Sequence, residues 1–164
     1  MTNPIDMALV AEIVATGTAS SKMVVTAESC TGGMVAAALT ELSGASAVLD
    51  RGLVTYSNDA KSSLLGVARA TLASHGAVSP ETATEMAAGA LAAAPQSHVA
   101  VAITGIAGPG GGSTEKPVGL VWFGLMVRGG PVETCRHLFN GDRAAIRTQA
   151  ANEALRLLLG GLRP

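Results

Sequence analysis

Apolar residues recur along this chain in two patterns, one with helical spacing and one as continuous runs. The pairs Leu9/Ile13 and Val10/Val14 are four residues apart and predict an opening helix with Pro4 in its first turn. Continuous apolar runs are instead typical of strands that are buried on both faces of a sheet. The predicted strands are residues 23–27, 48–56, 98–104, 118–127 and 132–139.

Helical patterns separate the early strands, whereas a turn signal at residues 128–131 joins the last two. Four further helices are predicted. One follows Gly32–Gly33, one begins at an Asn58 cap, one begins at Pro80, and the last runs from an Asp142 cap to Gly160–Gly161. Residues 66–79 are interpreted as a loop. This order predicts an α/β fold, a three-layer α/β/α sandwich whose mixed, mainly parallel sheet is closed by an antiparallel hairpin. Residues 1–164 are expected to form a single domain.

Composition excludes several classes of function. Aromatic residues make up 2% of the chain and the formal net charge is −1, so neither a stacking platform nor a basic surface for nucleic acid is expected. No apolar stretch is long enough to span a bilayer and no basic signal-peptide region is present, which predicts a cytoplasmic protein without membrane contact. Cys30 and Cys135 lack C-x-x-C spacing, and we expect reduced thiols, no metal and no cofactor.

Ser29 lies between a predicted buried strand and Gly32–Gly33, where free backbone N–H groups and a helix dipole stabilise an oxyanion. The position suits a nucleophile, but serine is also a common helix cap. A capping box would place Glu or Gln three residues later, where Gly32 stands, and both interpretations stay open. Cys30 is a rival nucleophile by chemistry, but it is interpreted as a small buried hydrophobe because no motif ties a base to it.

Lys61 falls in the first turn after Asn58, where the positive end of a helix disfavours an ammonium. Together with partial burial, this would lower the lysine pKa and leave a neutral amine able to deprotonate a serine. A solvated surface lysine is the competing interpretation. Tyr56, the only tyrosine, ends the preceding strand and is interpreted either as a proton donor or ring contact, or as an ordinary strand-end aromatic.

Two further features are candidates for ligand binding. The glycine-rich loop of residues 105–116 is neither a P-loop nor a dinucleotide-binding motif, because Lys116 precedes a proline and a strand follows the loop. Its glycines would still let a ligand approach the backbone closely. Arg143 and Arg147 lie one turn apart at the start of the last helix, an unfavourable place for cations unless they bind an anion such as a phosphate. Solvated arginines are the alternative.

Four motifs in order strongly resemble those of the CinA C-terminal domain family. They are residues 27–33 (AESCTGG), 55–58 (TYSN) with Lys61, 75–79 (HGAVS) and 104–111 (TGIAGPGG). The resemblance continues to Arg143 and Arg147 and covers nearly the whole chain. It implies a three-layer α/β/α hydrolase that deamidates nicotinamide mononucleotide to nicotinic acid mononucleotide and ammonia, a salvage step toward NAD.

The resemblance also implies roles for single residues, with Ser29 as nucleophile, Lys61 as base and Tyr56 as a further catalytic group. The expected substrate-binding residues are Thr31, Gly32, Gly33, Thr104, Gly105, Arg143 and Arg147. The expected partner is the small-molecule nucleotide, in a homo-oligomer for which a dimer is favoured. A non-catalytic nucleotide-binding or regulatory module with the same fold is the alternative function.

Overall fold

The computed structural model describes residues 4–164, which form five strands, six helices and a short 3₁₀ turn at Ala45–Ala47. The strands are β1 (Met23–Glu28), β2 (Leu49–Val54), β3 (Ser97–Gly105), β4 (Leu120–Val127) and β5 (Val132–Leu138). The helices are α1 (Met7–Ser20), α2 (Met34–Thr40), α3 (Asn58–Leu65), α4 (Arg69–His75), α5 (Pro80–Ala93) and α6 (Arg143–Leu162). All five predicted strands are therefore present, with their ends shifted.

The sheet has the strand order β2-β1-β3-β4-β5. Strand β1 is parallel to both β2 and β3, whereas β4 is antiparallel to β3 and to β5. Four of the five strands consequently point the same way, which confirms a mixed, mainly parallel sheet. The β4–β5 hairpin does not close it, however, because β2 and β5 are two open edges.

Helices cover both faces of this sheet and bury two apolar cores. On one face, α1, α2 and α6 contribute side chains such as Val10, Val35 and Leu155. On the other face, α5 packs with the end of α3 and contributes Met86 and Leu65. The predicted three-layer arrangement is thereby confirmed. Within residues 4–164, no helix is long and apolar enough to cross a membrane.

Two predicted helix starts were wrong because a neighbouring side chain provides the cap. The Leu9 N–H donates to Asp6 Oδ1 at 3.1 Å, so α1 begins after Asp6 and Pro4 lies outside its first turn. At α3, the Ala60 N–H donates to Ser57 Oγ at 3.0 Å, and Ser57 is the cap in place of Asn58.

Two other differences come from tertiary packing. Helix α6 continues through Gly160–Gly161 to its end at Leu162, and a Cβ at Gly161 would lie 2.7 Å from Val99 Cγ1, so this glycine permits close approach to β3. Helix α4 occupies part of the segment interpreted as a loop. Its start is held by α5, because the Ala68 N–H and the Thr71 hydroxyl both donate to the Glu85 carboxylate. In both cases the contact that decides the difference comes from residues distant in the sequence.

Helix α5 approaches the end of α3 most closely at Gly89. A Cβ at this position would lie 1.8 Å from the Leu65 carbonyl oxygen and 2.7 Å from its carbon. Both atoms belong to the backbone, so a side chain at Gly89 would push α3 away from α5. The closeness of these helices therefore depends on glycine.

We expect Gly89→Ala to lower the free energy of unfolding by at least about 1–3 kcal/mol, the usual cost of overpacking. Urea denaturation of the purified variant measures this change. Gly160→Ala is the matched control, since that helical glycine is exposed and has no atom within 4 Å of its Cβ position. The control should be stabilised by up to about 1 kcal/mol through helix propensity alone. A Gly89→Ala protein as stable as the native one would contradict this packing.

Candidate active site

A cavity of about 270 Å³ opens at the carboxyl ends of β1 and β3. Ligands of open α/β sheets usually bind at such strand ends, where the connecting chains part. The lining residues come from the segments that follow β1 and β2, the α4–α5 connection, the end of β3 with the loop after it, and the start of α6. They are Ser29, Cys30, Tyr56, Asn58, Lys61, Ala77, Val78, Thr104, Gly105, Ile106, Ala107, Gly108, Gly110, Gly111 and Arg143.

Ser29 and Lys61 meet inside this cavity. The Lys61 Nζ atom lies 2.9 Å from Ser29 Oγ, 2.9 Å from the Thr55 carbonyl oxygen and 3.3 Å from the Tyr56 carbonyl oxygen. Residues 29 and 61 come from different strand–helix connections, so only the folded sheet brings them together. The predicted nucleophile and base are thus within direct proton-transfer distance.

The amine of Lys61 is buried without an acidic partner. The residue is 1% exposed, and no salt bridge within residues 4–164 includes it. Burial lowers the pKa of Lys61 because a low-dielectric surrounding disfavours the ammonium form. The neutral amine has two N–H bonds for the Thr55 and Tyr56 carbonyls, and its lone pair is then free to accept the Ser29 proton.

Ser29 is held by a turn that comes before α2. Its N–H donates to the Ile103 carbonyl at 3.0 Å and its carbonyl accepts from the Gly32 N–H at 3.0 Å. Helix α2 begins at Met34 with Gly33 in the cap position, so Ser29 does not cap this helix. Gly32 and Gly33 fill the intervening turn with φ of 59° and 97°, conformations that other residues rarely adopt.

The amino end of α2 is occupied by the fully buried carboxylate of Glu28. The Val35 and Ala36 N–H groups donate to Glu28 Oε1 and Oε2 at 3.0 and 3.1 Å, and the Thr26 hydroxyl donates to Oε2 at 3.3 Å. These bonds satisfy the helix N–H groups and place a negative charge at the positive end of the helix. The helix dipole of α2 is therefore not available to stabilise an oxyanion at Ser29.

Cys30 lines the cavity, but its thiol is unsuited to attack. Burial raises the pKa of this thiol to about 11. The thiolate, which is the nucleophilic form, is therefore scarce near neutral pH. This leaves Ser29, with its adjacent amine, as the group in the cavity that is equipped for nucleophilic attack.

Tyr56 and Arg143 meet across the mouth of the cavity. Tyr56 is 61% exposed, and its hydroxyl accepts a hydrogen bond from Arg143 Nη2 at 3.0 Å. Arg143 Nη1 donates to the Gly108 carbonyl at 2.9 Å. The guanidinium consequently joins the segment after β2 to the glycine-rich loop after β3, with its positive charge facing the entrance.

Thr104 and Gly105 shape the wall formed by β3. The buried Thr104 hydroxyl donates to the Ala77 carbonyl at 2.7 Å. A Cβ at Gly105 would lie 2.6 Å from Val121 Cγ2, so β3 and β4 need a glycine there to pair this closely. Both residues line the cavity as predicted, and their contacts within the protein fix its shape.

Four of the predicted substrate-binding residues do not line the cavity: Thr31, Gly32, Gly33 and Arg147. Thr31 is fully buried beneath the turn. Arg147 donates from Nε to the Cys30 carbonyl at 2.9 Å and from Nη2 to the Thr31 carbonyl at 3.1 Å. Its guanidinium therefore binds the backbone that follows the nucleophile.

The backbone contributes groups that sequence reasoning missed. The Thr55 and Tyr56 carbonyls bind Lys61, the Gly108 carbonyl binds Arg143, and the Ala77 carbonyl binds Thr104. Carbonyl oxygens have no sequence signal, since every residue carries one. Within residues 4–164, no group of three or more His, Cys, Asp or Glu residues is arranged to hold a metal ion.

Known proteins are similar to this chain in sequence and in fold. The family model of the CinA C-terminal domain matches residues 6–162. The chain belongs to the CinA C-terminal domain family. Among its relatives in that family, nicotinamide-nucleotide amidohydrolase PncC of Escherichia coli (strain K12) is 56% identical over 135 residues, or 82% of this chain and 81% of that protein. A CinA-like protein of Anaeromyxobacter dehalogenans (strain 2CP-C) is 50% identical over 92% of this chain and 36% of that protein.

Solved structures of CinA-family proteins have the same fold. The crystal structure of competence/damage inducible protein CihA from Agrobacterium tumefaciens superimposes with a TM-score of 0.94, at 47% identity, over 99% of this chain and 100% of that chain. A CinA-superfamily protein from Klebsiella pneumoniae 700603 has a TM-score of 0.89 at 41% identity, over 95% of this chain and 96% of that chain. The resemblance inferred from the motifs is confirmed.

The burial of the Lys61 amine leads to a prediction about how activity depends on pH. We predict that Lys61 acts as the base in its neutral form, so turnover should rise with pH through an apparent pKa below about 10.4, the value of a free lysine. Lys61→Arg, which keeps a permanent positive charge, should lower kcat by about 10²–10⁴-fold. Initial rates across pH measure both effects. Lys22→Arg, remote from the cavity, is the matched control, and an active Lys61→Arg protein would show that charge alone suffices.

Proposed function

We propose that this protein is a nicotinamide-nucleotide amidohydrolase, which converts nicotinamide mononucleotide and water to nicotinic acid mononucleotide and ammonia. The observation that carries the proposal is the 2.9 Å contact between Ser29 Oγ and the buried, unpaired amine of Lys61. Support also comes from relatives that are 56% identical and named nicotinamide-nucleotide amidohydrolase PncC. The substrate is accordingly a small nucleotide.

Acylation begins when Ser29 Oγ attacks the carboxamide carbon and Lys61 Nζ takes the hydroxyl proton. The carbonyl π bond opens to give a tetrahedral oxyanion, and the lysine becomes an ammonium held by the Thr55 and Tyr56 carbonyls. This ammonium then gives its proton to the departing nitrogen. The C–N bond breaks, ammonia leaves, and the acyl group remains on Ser29.

Deacylation repeats these steps with water as the nucleophile. The neutral Lys61 amine accepts a proton from water while the water oxygen attacks the ester carbon. The Ser29 Oγ–C bond then breaks, and Lys61 returns the proton to Ser29. One lysine thus serves as base and acid in each half of the reaction, which requires a pKa lowered toward neutrality.

Substrate binding is assigned to the cavity and its mouth. Arg143 offers a permanent positive charge beside the entrance, which suits the phosphate of the nucleotide. Tyr56 lies on the same side and carries an aromatic face for the cationic ring, while the segment from Thr104 to Gly111 provides backbone that a ligand can approach. The expected dimer and cytoplasmic location stay predictions.

Ammonia release from nicotinamide mononucleotide by the purified protein tests the proposal directly. We expect turnover by the native protein, none detectable for folded Ser29→Ala, and substantial activity for Cys30→Ser, since the Cys30 thiol takes no part in the chemistry. A native protein that binds the nucleotide but releases no ammonia would support the alternative, a non-catalytic binding or regulatory module. Loss of activity in Cys30→Ser with retention in Ser29→Ala would reassign the nucleophile.

The role of Arg143 is tested by a double comparison. Arg143→Ala should lower kcat/KM for the mononucleotide by about ten- to a hundredfold, the usual effect of losing a charge-assisted hydrogen bond. The same change should barely alter the slow hydrolysis of nicotinamide riboside, which has no phosphate. Arg69→Ala, at an exposed ion pair with Asp59, is the control. Equal losses of kcat/KM for both substrates would show that the phosphate binds elsewhere.

A further inference from the structure

Arg147 is the residue whose position departs most from its predicted role. It lies one helical turn after Arg143 on α6, yet its guanidinium points away from the cavity mouth and binds the turn after the nucleophile. Nε donates to the Cys30 carbonyl at 2.9 Å and Nη2 to the Thr31 carbonyl at 3.1 Å. A Cβ at Gly32 would lie 3.3 Å from Nη2, so the turn is packed closely on this side chain.

Three successive carbonyls of this turn, those of Ser29, Cys30 and Thr31, are held by hydrogen bonds. The Ser29 carbonyl accepts from the Gly32 N–H at 3.0 Å, and Arg147 occupies the next two carbonyls. In a trans peptide the N–H points opposite to the C=O, so fixing a carbonyl also fixes the N–H of the following residue. The Cys30 carbonyl held by Arg147 thus fixes the Thr31 N–H, and the Thr31 carbonyl fixes the Gly32 N–H, which in turn holds the Ser29 carbonyl and with it the Cys30 N–H.

Two of these three N–H groups have no acceptor. Gly32 uses its N–H on Ser29, but among the described residues neither Cys30 nor Thr31 donates its N–H to a protein atom. Thr31 is fully buried and lies outside the cavity lining, whereas Cys30 lines the cavity, so the Cys30 N–H is the free donor on the cavity side. A free backbone donor directly after a nucleophile is a recurrent way to bind the oxyanion of acyl transfer. The α2 terminus is not such a donor, because Glu28 occupies it.

We propose that Arg147 is a positioning residue for catalysis, which holds the turn of residues 29–32 so that the free N–H group of Cys30 binds the oxyanion formed on the substrate carboxamide. This inference rests on the proposed amidohydrolase function. A bidentate guanidinium suits the task because it binds two successive carbonyls in one fixed plane. Arg147 itself touches neither the substrate nor the reacting atoms.

The first test separates this role from phosphate binding and from a general effect on folding. Arg147→Met should lower kcat for nicotinamide mononucleotide by about a hundredfold, the effect of losing an oxyanion donor, with KM changed less than about threefold. The fall should be the same for nicotinamide riboside. Arg147→Lys, which keeps the charge but not the planar fork, should recover only part of the loss. Arg156→Met, exposed on the same helix, is the matched control and should keep native kcat.

The second test uses the mononucleotide analogue in which an aldehyde replaces the carboxamide. Ser29 Oγ forms a bond to the aldehyde carbon, the carbonyl π bond opens to an oxyanion, and the serine proton passes to Lys61. Arg147→Met should weaken the binding of this analogue by about a hundredfold. It should leave the affinity for the product, nicotinic acid mononucleotide, unchanged. A variant that is merely misfolded in part would lose active sites without changing either affinity.

The outcomes distinguish the two proposals. A native protein that releases no ammonia overturns the amidohydrolase function and this inference with it. An active native protein with full kcat in folded Arg147→Met overturns the positioning role alone. A selective rise in KM for the mononucleotide, with the riboside unaffected, would instead assign Arg147 to the phosphate.

Discussion

The buried amine of Lys61 is the constraint on which the site depends. An ammonium in this position lacks a carboxylate partner and has lost its water, so the pKa of Lys61 is lowered from its usual value. The Lys61 amine donates to the Thr55 and Tyr56 carbonyls and lies 2.9 Å from Ser29 Oγ. Burial that costs stability thus gives the shift that the proposed role as a base requires, a frequent trade at functional sites.

The other charged side chains around Ser29 are also bound by backbone groups. Glu28 and Arg147 each bind backbone: Glu28 accepts from two N–H groups of α2, and Arg147 donates to two carbonyls of the turn. Between them, the backbone after the nucleophile is held at both ends. Among the described residues the Cys30 N–H has no acceptor, and Cys30 and Ser29 both line the cavity.

Arg143 and Arg147 show how one helix serves two purposes. They are a turn apart, and sequence reasoning assigned both to a phosphate. The two side chains contact different parts of the molecule: Arg143 binds Tyr56 at the cavity mouth, whereas Arg147 binds the turn after Ser29. A helix packed along the sheet can therefore contribute to substrate binding and to the rigidity of the nucleophile at the same time.

The sequence by itself determined the class of fold and the five strands, because apolar periodicity is a local property, while the joint role of Ser29 and Lys61 came from the family resemblance and their contact from the fold. It predicted neither α4 nor the continuation of α6 through its glycines, since contacts from distant elements decide both. Only the tertiary structure separated Arg143 from Arg147 and gave Glu28 the α2 terminus. A side chain's partner depends on which backbone the fold brings within about 3 Å, and the residue type alone carries no record of that distance.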